Sequence, residues 1–123
     1  MKRVVKIGGR AQGDARLVAA LADASRAAML CVVHGGGDEV SALQRRLGLE
    51  PVFSGGRRVT SEADLEIVRM VLSGTINKRL VAQLIGAGVR AVGISGEDAS
   101  LFAARATNAA MMGRVGGEVT VDP

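Results

Sequence analysis

The chain of 123 residues carries one cysteine, two prolines, one histidine and two phenylalanines, and it has neither tryptophan nor tyrosine. The single cysteine, Cys31, excludes a disulfide framework and any zinc site built on cysteines. Scarce proline, with 48% apolar and 23% charged residues, excludes the disordered and low-complexity classes. An aromatic content of 2% removes the stacking platforms that single-stranded nucleic acid lies on, so no nucleic-acid partner is expected. No run approaches the ~20 apolar residues of a membrane span, so no membrane partner is expected either. The basic N-terminus reaches Gly8-Gly9 after too few apolar residues for a signal peptide. The expectation is a cytoplasmic protein of one domain. Sixteen basic against twelve acidic residues leave a net charge of +4. That is a mild excess of solvated arginines, compatible with a small anionic ligand.

What is abundant is glycine, 17 residues where average usage of about 7% gives about nine. They cluster as Gly8-Gly9, Gly35-Gly36-Gly37, Gly55-Gly56, and Gly93 with Gly96, mostly at the ends of apolar runs. Val4, Val5 and Ile7 read as a buried strand stopping at the first pair. Residues 14–27, with Leu17, Ala20, Leu21 and Ala24 on one stripe, read as a helix. Residues 29–33 form a second strand that ends in His34 and the glycine triple. Val40, Leu43 and Leu47 have helical spacing, and Gly48 falls where a left-handed cap belongs.

Residues 50–60 lack helical period and read as a loop or hairpin. Thr60 or Ser61 caps the next helix, whose first turn holds Glu62 and Asp64. Leu65, Val68, Val71 and Leu72 make a wide apolar stripe on it, wide enough to face either the core or a second subunit. Gly74 is expected to interrupt or kink this helix, and Ile76, Leu80 and Leu84 continue its period. Residues 91–94 read as a third strand ending at Ser95-Gly96. Gly113, Gly116 and Gly117 mark hairpin turns before a short strand at 119–121. This order predicts an α/β fold, a mostly parallel open sheet sandwiched by helices.

Ligands of open parallel sheets bind outside the carboxyl ends of the strands. Glycines there let backbone amides converge on an anion, and a helix starting at Gly37 adds its positive end. Neither a dinucleotide fingerprint nor a P-loop pattern occurs. Lys6, an ammonium in an apolar strand beside a glycine pair, suits stabilisation of a phosphoryl group in transfer. Arg57 and Arg58 follow Gly55-Gly56, and an arginine fork suits a carboxylate. A lone histidine such as His34 is more often structural than catalytic. No metal-ligating set stands out.

Lys6-Ile7-Gly8-Gly9, His34-Gly35-Gly36-Gly37, Gly56-Arg57-Arg58-Val59-Thr60 and Ser73-Gly74-Thr75-Ile76-Asn77-Lys78 resemble, in order and spacing, the amino-acid kinase superfamily. The nearest likeness is to its N-acetylglutamate kinase branch. Gly93-Ile94-Ser95-Gly96-Glu97-Asp98 and Gly116-Gly117-Glu118-Val119 continue the resemblance along the whole chain. It implies transfer of the γ-phosphoryl of ATP, with Mg2+, to the side-chain carboxylate of N-acetyl-L-glutamate, a step of arginine biosynthesis. It also implies roles: Lys6 on the transferring phosphoryl, Gly8 and Gly9 on the ATP phosphates, Gly36 and Gly37 around the acetylglutamate, and Arg58 on its α-carboxylate.

Chains of that family are longer, and their second half supplies the nucleotide lobe. Residues 1–123 are therefore expected to be a single N-terminal acetylglutamate-binding and dimerisation lobe, lacking the nucleotide-binding lobe and inactive alone. The resemblance further implies a homodimer, and the start at the first strand implies no feedback inhibition by arginine. Asp38-Glu39 after the glycine triple departs from the family pattern by placing two carboxylates near an anion site. A kinase acting on carrier-linked aminoadipate and a non-catalytic ligand-binding module are the alternative readings.

Overall fold

A computed structural model of the chain describes residues 1–121. In chain order it holds β1 (Lys2–Ile7), a 3-10 turn (Gly9–Gly13), α1 (Ala15–Ala27), β2 (Met29–His34) and α2 (Gly37–Arg46). The hairpin β3 (Phe53–Ser54) and β4 (Arg57–Arg58) follows, then α3 (Glu62–Val68), a π-helical stretch (Arg69–Ile76) and α4 (Asn77–Gly86). A 3-10 turn (Asp98–Ser100), β5 (Phe102–Ala106), α5 (Ala109–Met112) and β6 (Gly116–Val121) complete it. The fold is α/β, with parallel strands joined through helices.

β1 and β2 pair in parallel from Lys2↔Met29 to Ile7↔His34, which brings both glycine loops to the same end of the ribbon. Parallel pairing requires a crossover, and α1 provides it. Asp14 starts that helix by accepting the Arg16 backbone N–H at 2.9 Å, satisfying one of the free amides of the first turn. The inward residues Val5, Ile7, Leu30 and Val32 pack with Val18 and Leu21 of α1 and Leu80 and Leu84 of α4. The buried stripe of α1 is thus Val18, Leu21 and Ala22, rotated from the expected one, and Ala20 faces solvent.

Alternation sends the other side chains of the ribbon to a face that no helix of the described residues covers. Val4 is 75% exposed, and Met29, Cys31 and Val33 are exposed beside it. The first strand is therefore half-buried rather than buried. Residues 91–94 form no strand. An apolar run becomes a strand only where a neighbour completes the ladder, and the β1–β2 ribbon ends at two strands. Val89 and Ala91 still pack on the core, and side chains of α4 tether the segment beyond them.

A second core gathers Val40 of α2, Ile67 of α3, and Val71 and Ile76 of the π-helical stretch, with Leu43, Val68 and Leu72 around them. Much of the wide apolar stripe is spent on this core, whereas Met70 stays exposed. Ser61 caps α3 in a reciprocal box with Asp64, so Ser61, not Thr60, is the capping residue. Gly74 does not interrupt the helix. Residues 62–86 run continuously, and the backbone widens into π geometry around it. Of the loop or hairpin expected at residues 50–60, the structure has the hairpin, turning on Gly55 and Gly56 at positive φ. The short strand expected at 119–121 is the end of β6, paired antiparallel with β5.

Candidate active site

Parallel pairing in register puts the Gly8-Gly9 loop beside the Gly35–Gly37 loop. A Cβ placed on Gly9 would come 3.3 Å from Gly36 Cα, so a side chain there would crowd the neighbouring loop. Gly36 adopts φ +156° and ψ 30°, and a side chain there would collide with Ile76. Between the loops lies an open cleft of about 490 Å³ lined by Gly8, Gly9, Arg10, Ala11, Gly37 and Asp38. α2 begins at its edge with Gly37, aiming free amides and the positive end of the helix dipole there.

The β3–β4 hairpin delivers Arg58 to the same helix start. Its Nη2 donates to the Gly37 carbonyl at 3.0 Å and to Ser41 Oγ at 2.8 Å, and its Nη1 donates to Gln44 Oε1. The guanidinium lies 4.7 Å from the centre of the Phe53 ring. Three of its five N–H donors are thus engaged, which fixes the fork and leaves the others for a ligand. Partial burial draws the Arg58 guanidinium down from its ordinary value, and the Asp64 carboxylate opposes that shift. Asp64 is itself held below the usual carboxylate range, chiefly by the Ser61 hydroxyl. Gln44, 1% exposed, links the two by donating to Asp64 Oδ1 at 2.6 Å.

The two carboxylates after the glycine triple are matched by cations. Asp38 accepts from Arg10 Nε at 3.3 Å across the cleft mouth. Glu39 accepts a two-pronged pair from Arg79 at 2.6 and 3.1 Å, which lowers its pKa. The departure at positions 38–39 therefore leaves the helix start without net negative charge.

Of the residues expected from the sequence, Gly8, Gly9, Gly36, Gly37 and Arg58 come together at one end of the ribbon. Lys6 does not line the cleft. It is exposed on the uncovered face with Val4, opposite Val33 in register. Arg57, the neighbouring candidate, is exposed on the hairpin. Sequence reasoning missed Gln12, 2% exposed, which donates to the Gly35 carbonyl at 2.6 Å, and Asn77, 6% exposed, which donates to the Ile94 carbonyl at 3.3 Å. Nothing in the spacing of Gln12 distinguishes it from a surface glutamine. Asn77 gave one sign, a polar residue continuing an apolar helical period.

Residues 1–121 match the model of the amino acid kinase family. The acetylglutamate kinase of Parvibaculum lavamentivorans is 50% identical over 110 residues, covering 83% of this chain and 35% of that protein. The acetylglutamate kinase of Chloroflexus aurantiacus is 43% identical over 123 residues, covering 97% of this chain and 48% of that protein. The chain thus spans about a third to a half of the curated relatives it matches. Among solved structures, one from Streptococcus mutans superposes with a TM-score of 0.83 at 28% identity, covering 98% of this chain and 51% of that one. The N-acetylglutamate synthase of Neisseria gonorrhoeae, solved with coenzyme A and N-acetyl-glutamate, superposes with a TM-score of 0.69 at 26% identity, over 90% of this chain and 26% of that one.

Proposed function

From the premise that the chain belongs to the amino acid kinase family, we propose that residues 1–123 are the N-terminal, acceptor-binding lobe of an acetylglutamate kinase. In this reading, the complete enzyme passes the γ-phosphoryl of ATP to the side-chain carboxylate of N-acetyl-L-glutamate. The observation that carries it is Arg58, locked by three hydrogen bonds over the start of α2, beside amides of the Gly36-Gly37 loop. A fixed fork and converging N–H groups suit a small dicarboxylate better than a diffuse anion, because each oxygen meets a directed donor.

Arg58 takes the α-carboxylate, Gly36 and Gly37 hold the rest of the acceptor, and Gly8 and Gly9 offer amides to the ATP phosphates. The role of Lys6 on the transferring phosphoryl rests on the family resemblance, since its side chain is exposed outside the cleft lining, two residues before Gly8. Among the described residues no group of three or more His, Cys, Asp or Glu side chains is placed to hold a metal ion. The chain is proposed to form a homodimer through the helical segment at residues 62–86, where Met70 remains exposed after the core is satisfied. No helix of the described residues is long and apolar enough to cross a membrane.

The test is calorimetric titration of the chain with N-acetyl-L-glutamate. Saturable binding is expected, and Arg58→Ala should weaken it at least about tenfold, the value of one lost charge-assisted contact. Equal binding by wild type and Arg58→Ala would remove the proposal.

A further inference from the structure

Gln12 is buried although its neighbours Ala11 and Gly13 are exposed. Its Nε2 donates to the Gly35 carbonyl at 2.6 Å, and His34 Nδ1 stands 3.2 Å from the same oxygen. A carbonyl only accepts, so the proton of a neutral His34 sits on Nδ1, and Nε2 becomes the acceptor. Nε2 faces Asn77 Nδ2 at 3.5 Å, and the same amide reaches Ile94. The orientation that lets Gln12 donate to Gly35 leaves its Oε1 buried with no partner among the described residues. An unpaired buried acceptor is costly, so the fold holds the Gly35 oxygen against a penalty.

Every described peptide bond is trans. The Gly35 carbonyl and the Gly36 N–H belong to one planar unit and point in opposite directions. Two donors gripping the oxygen therefore turn the Gly36 N–H away from Gln12. That nitrogen lies beside Gly9, a wall of the cleft, about 3.5 Å from where a Cβ would stand. Gly36 is buried, yet among the described residues its N–H has no acceptor. A backbone donor without a partner in the chain is open to an oxygen from outside it.

We propose that Gln12 and His34 are positioning residues. Together they clamp the Gly35–Gly36 peptide so that the Gly36 N–H is presented to an oxygen of the bound N-acetylated dicarboxylate. The ligand's identity rests on the function proposed above, while the orientation of the peptide does not.

Two measurements separate these dependencies. The first uses no ligand: residual dipolar coupling of the Gly36 N–H in wild type and in Gln12→Met, which keeps volume and removes the donor. A changed coupling at Gly36, with couplings in α1 unchanged, is expected; an unchanged coupling overturns the clamp. The second is the affinity for N-acetyl-L-glutamate, expected to fall about tenfold in Gln12→Met on loss of an aligned contact. An unchanged affinity with intact wild-type binding also overturns it. Should Gln12→Met not fold, His34→Leu and His34→Asn make the same comparison. Asn offers an amide donor near the place of Nδ1, so it should restore the coupling and affinity that Leu loses, and equal behaviour of the two overturns the clamp. Absence of binding by the wild type would instead defeat the proposed function, and the coupling alone would then judge the clamp.

Discussion

The two ends of this chain solve the same problem differently. In the N-terminal part, β1 and β2 form a two-stranded ribbon whose inner face is closed by α1 and α4. In the C-terminal part, β5 and β6 form a ribbon of similar length, but every residue of β5 is exposed and only one residue of β6 is half-buried. Hydrogen-bond ladders are therefore not what distinguishes them. The first ribbon removes apolar area from water at about 25 cal/mol per Å², and the second, with Phe102, Val119 and Val121 exposed, gains little of that. Function follows the same division. The glycine loops that must hold a fixed shape stand on the closed ribbon and on the second core beneath Gly36.

The sharpest way to break this contrast is to hollow out that second core. Ile76 is 0% exposed and lies under the Gly36 backbone. Ile76→Ala should cost about 2–5 kcal/mol, the range for truncating a buried aliphatic side chain. Urea denaturation would show a lowered midpoint, and N-acetyl-L-glutamate binding should weaken further because Gly36 loses its support. An unchanged midpoint would mean the site does not rest on this core.

How much of this was legible beforehand depends on whether the cause is local. A cap at Thr60 or Ser61, a turn at Gly55-Gly56 and the positive-φ Gly48 after α2 are set by neighbouring residues, and the sequence shows them. The parallel pairing that joins the two glycine loops was readable because apolar runs ending in glycine have few other arrangements. Residues 91–94 looked like a strand because periodicity reports apolarity, not the presence of a pairing edge. The β5 strand escaped notice since Phe102–Ala106 has no alternation to reveal it. At the π-helical stretch the sequence predicts an interruption or kink at Gly74, because a widened turn and a kink leave the same mark in sequence. Gln12 stayed invisible since its burial depends on the distant Gly35.

A smaller effect sharpens the contrast from the electrostatic side. Asp64 accepts from the Ser61 backbone N–H at 3.0 Å, the Ser61 hydroxyl at 2.7 Å and Gln44 at 2.6 Å. These contacts hold its carboxyl below the ordinary 3.8. A carboxyl depressed by folding stabilises the fold above its unfolded value and loses that contribution as pH falls through the folded value. Asp64→Asn should therefore cost about 1 kcal/mol at pH 7, the scale of a helix-capping contact. The difference from wild type should shrink as pH drops below 3.8. Denaturation midpoints across pH 2–7 (an experimental range of about five units) measure it, and a difference independent of pH would show that shape rather than charge holds the cap.

The smallest change is expected on the open ribbon, where the side chain is largest. Phe102 is 57% exposed and sits opposite Val121, with one edge against Gly96. By size alone, Phe102→Ala would rank with the most damaging substitutions, since a buried phenylalanine is worth about 3–5 kcal/mol. Here most of the ring stays in water in the folded state, so unfolding exposes little more of it. What remains is a cross-strand pair worth about 0.2–1 kcal/mol. Phe102→Ala should therefore move the urea midpoint less than Asp64→Asn does at pH 7, and far less than Ile76→Ala, although it deletes more atoms than either. A shift as large as that of Ile76→Ala would mean that in solution the ring is covered, and the two ribbons would then differ in sequence but not in burial.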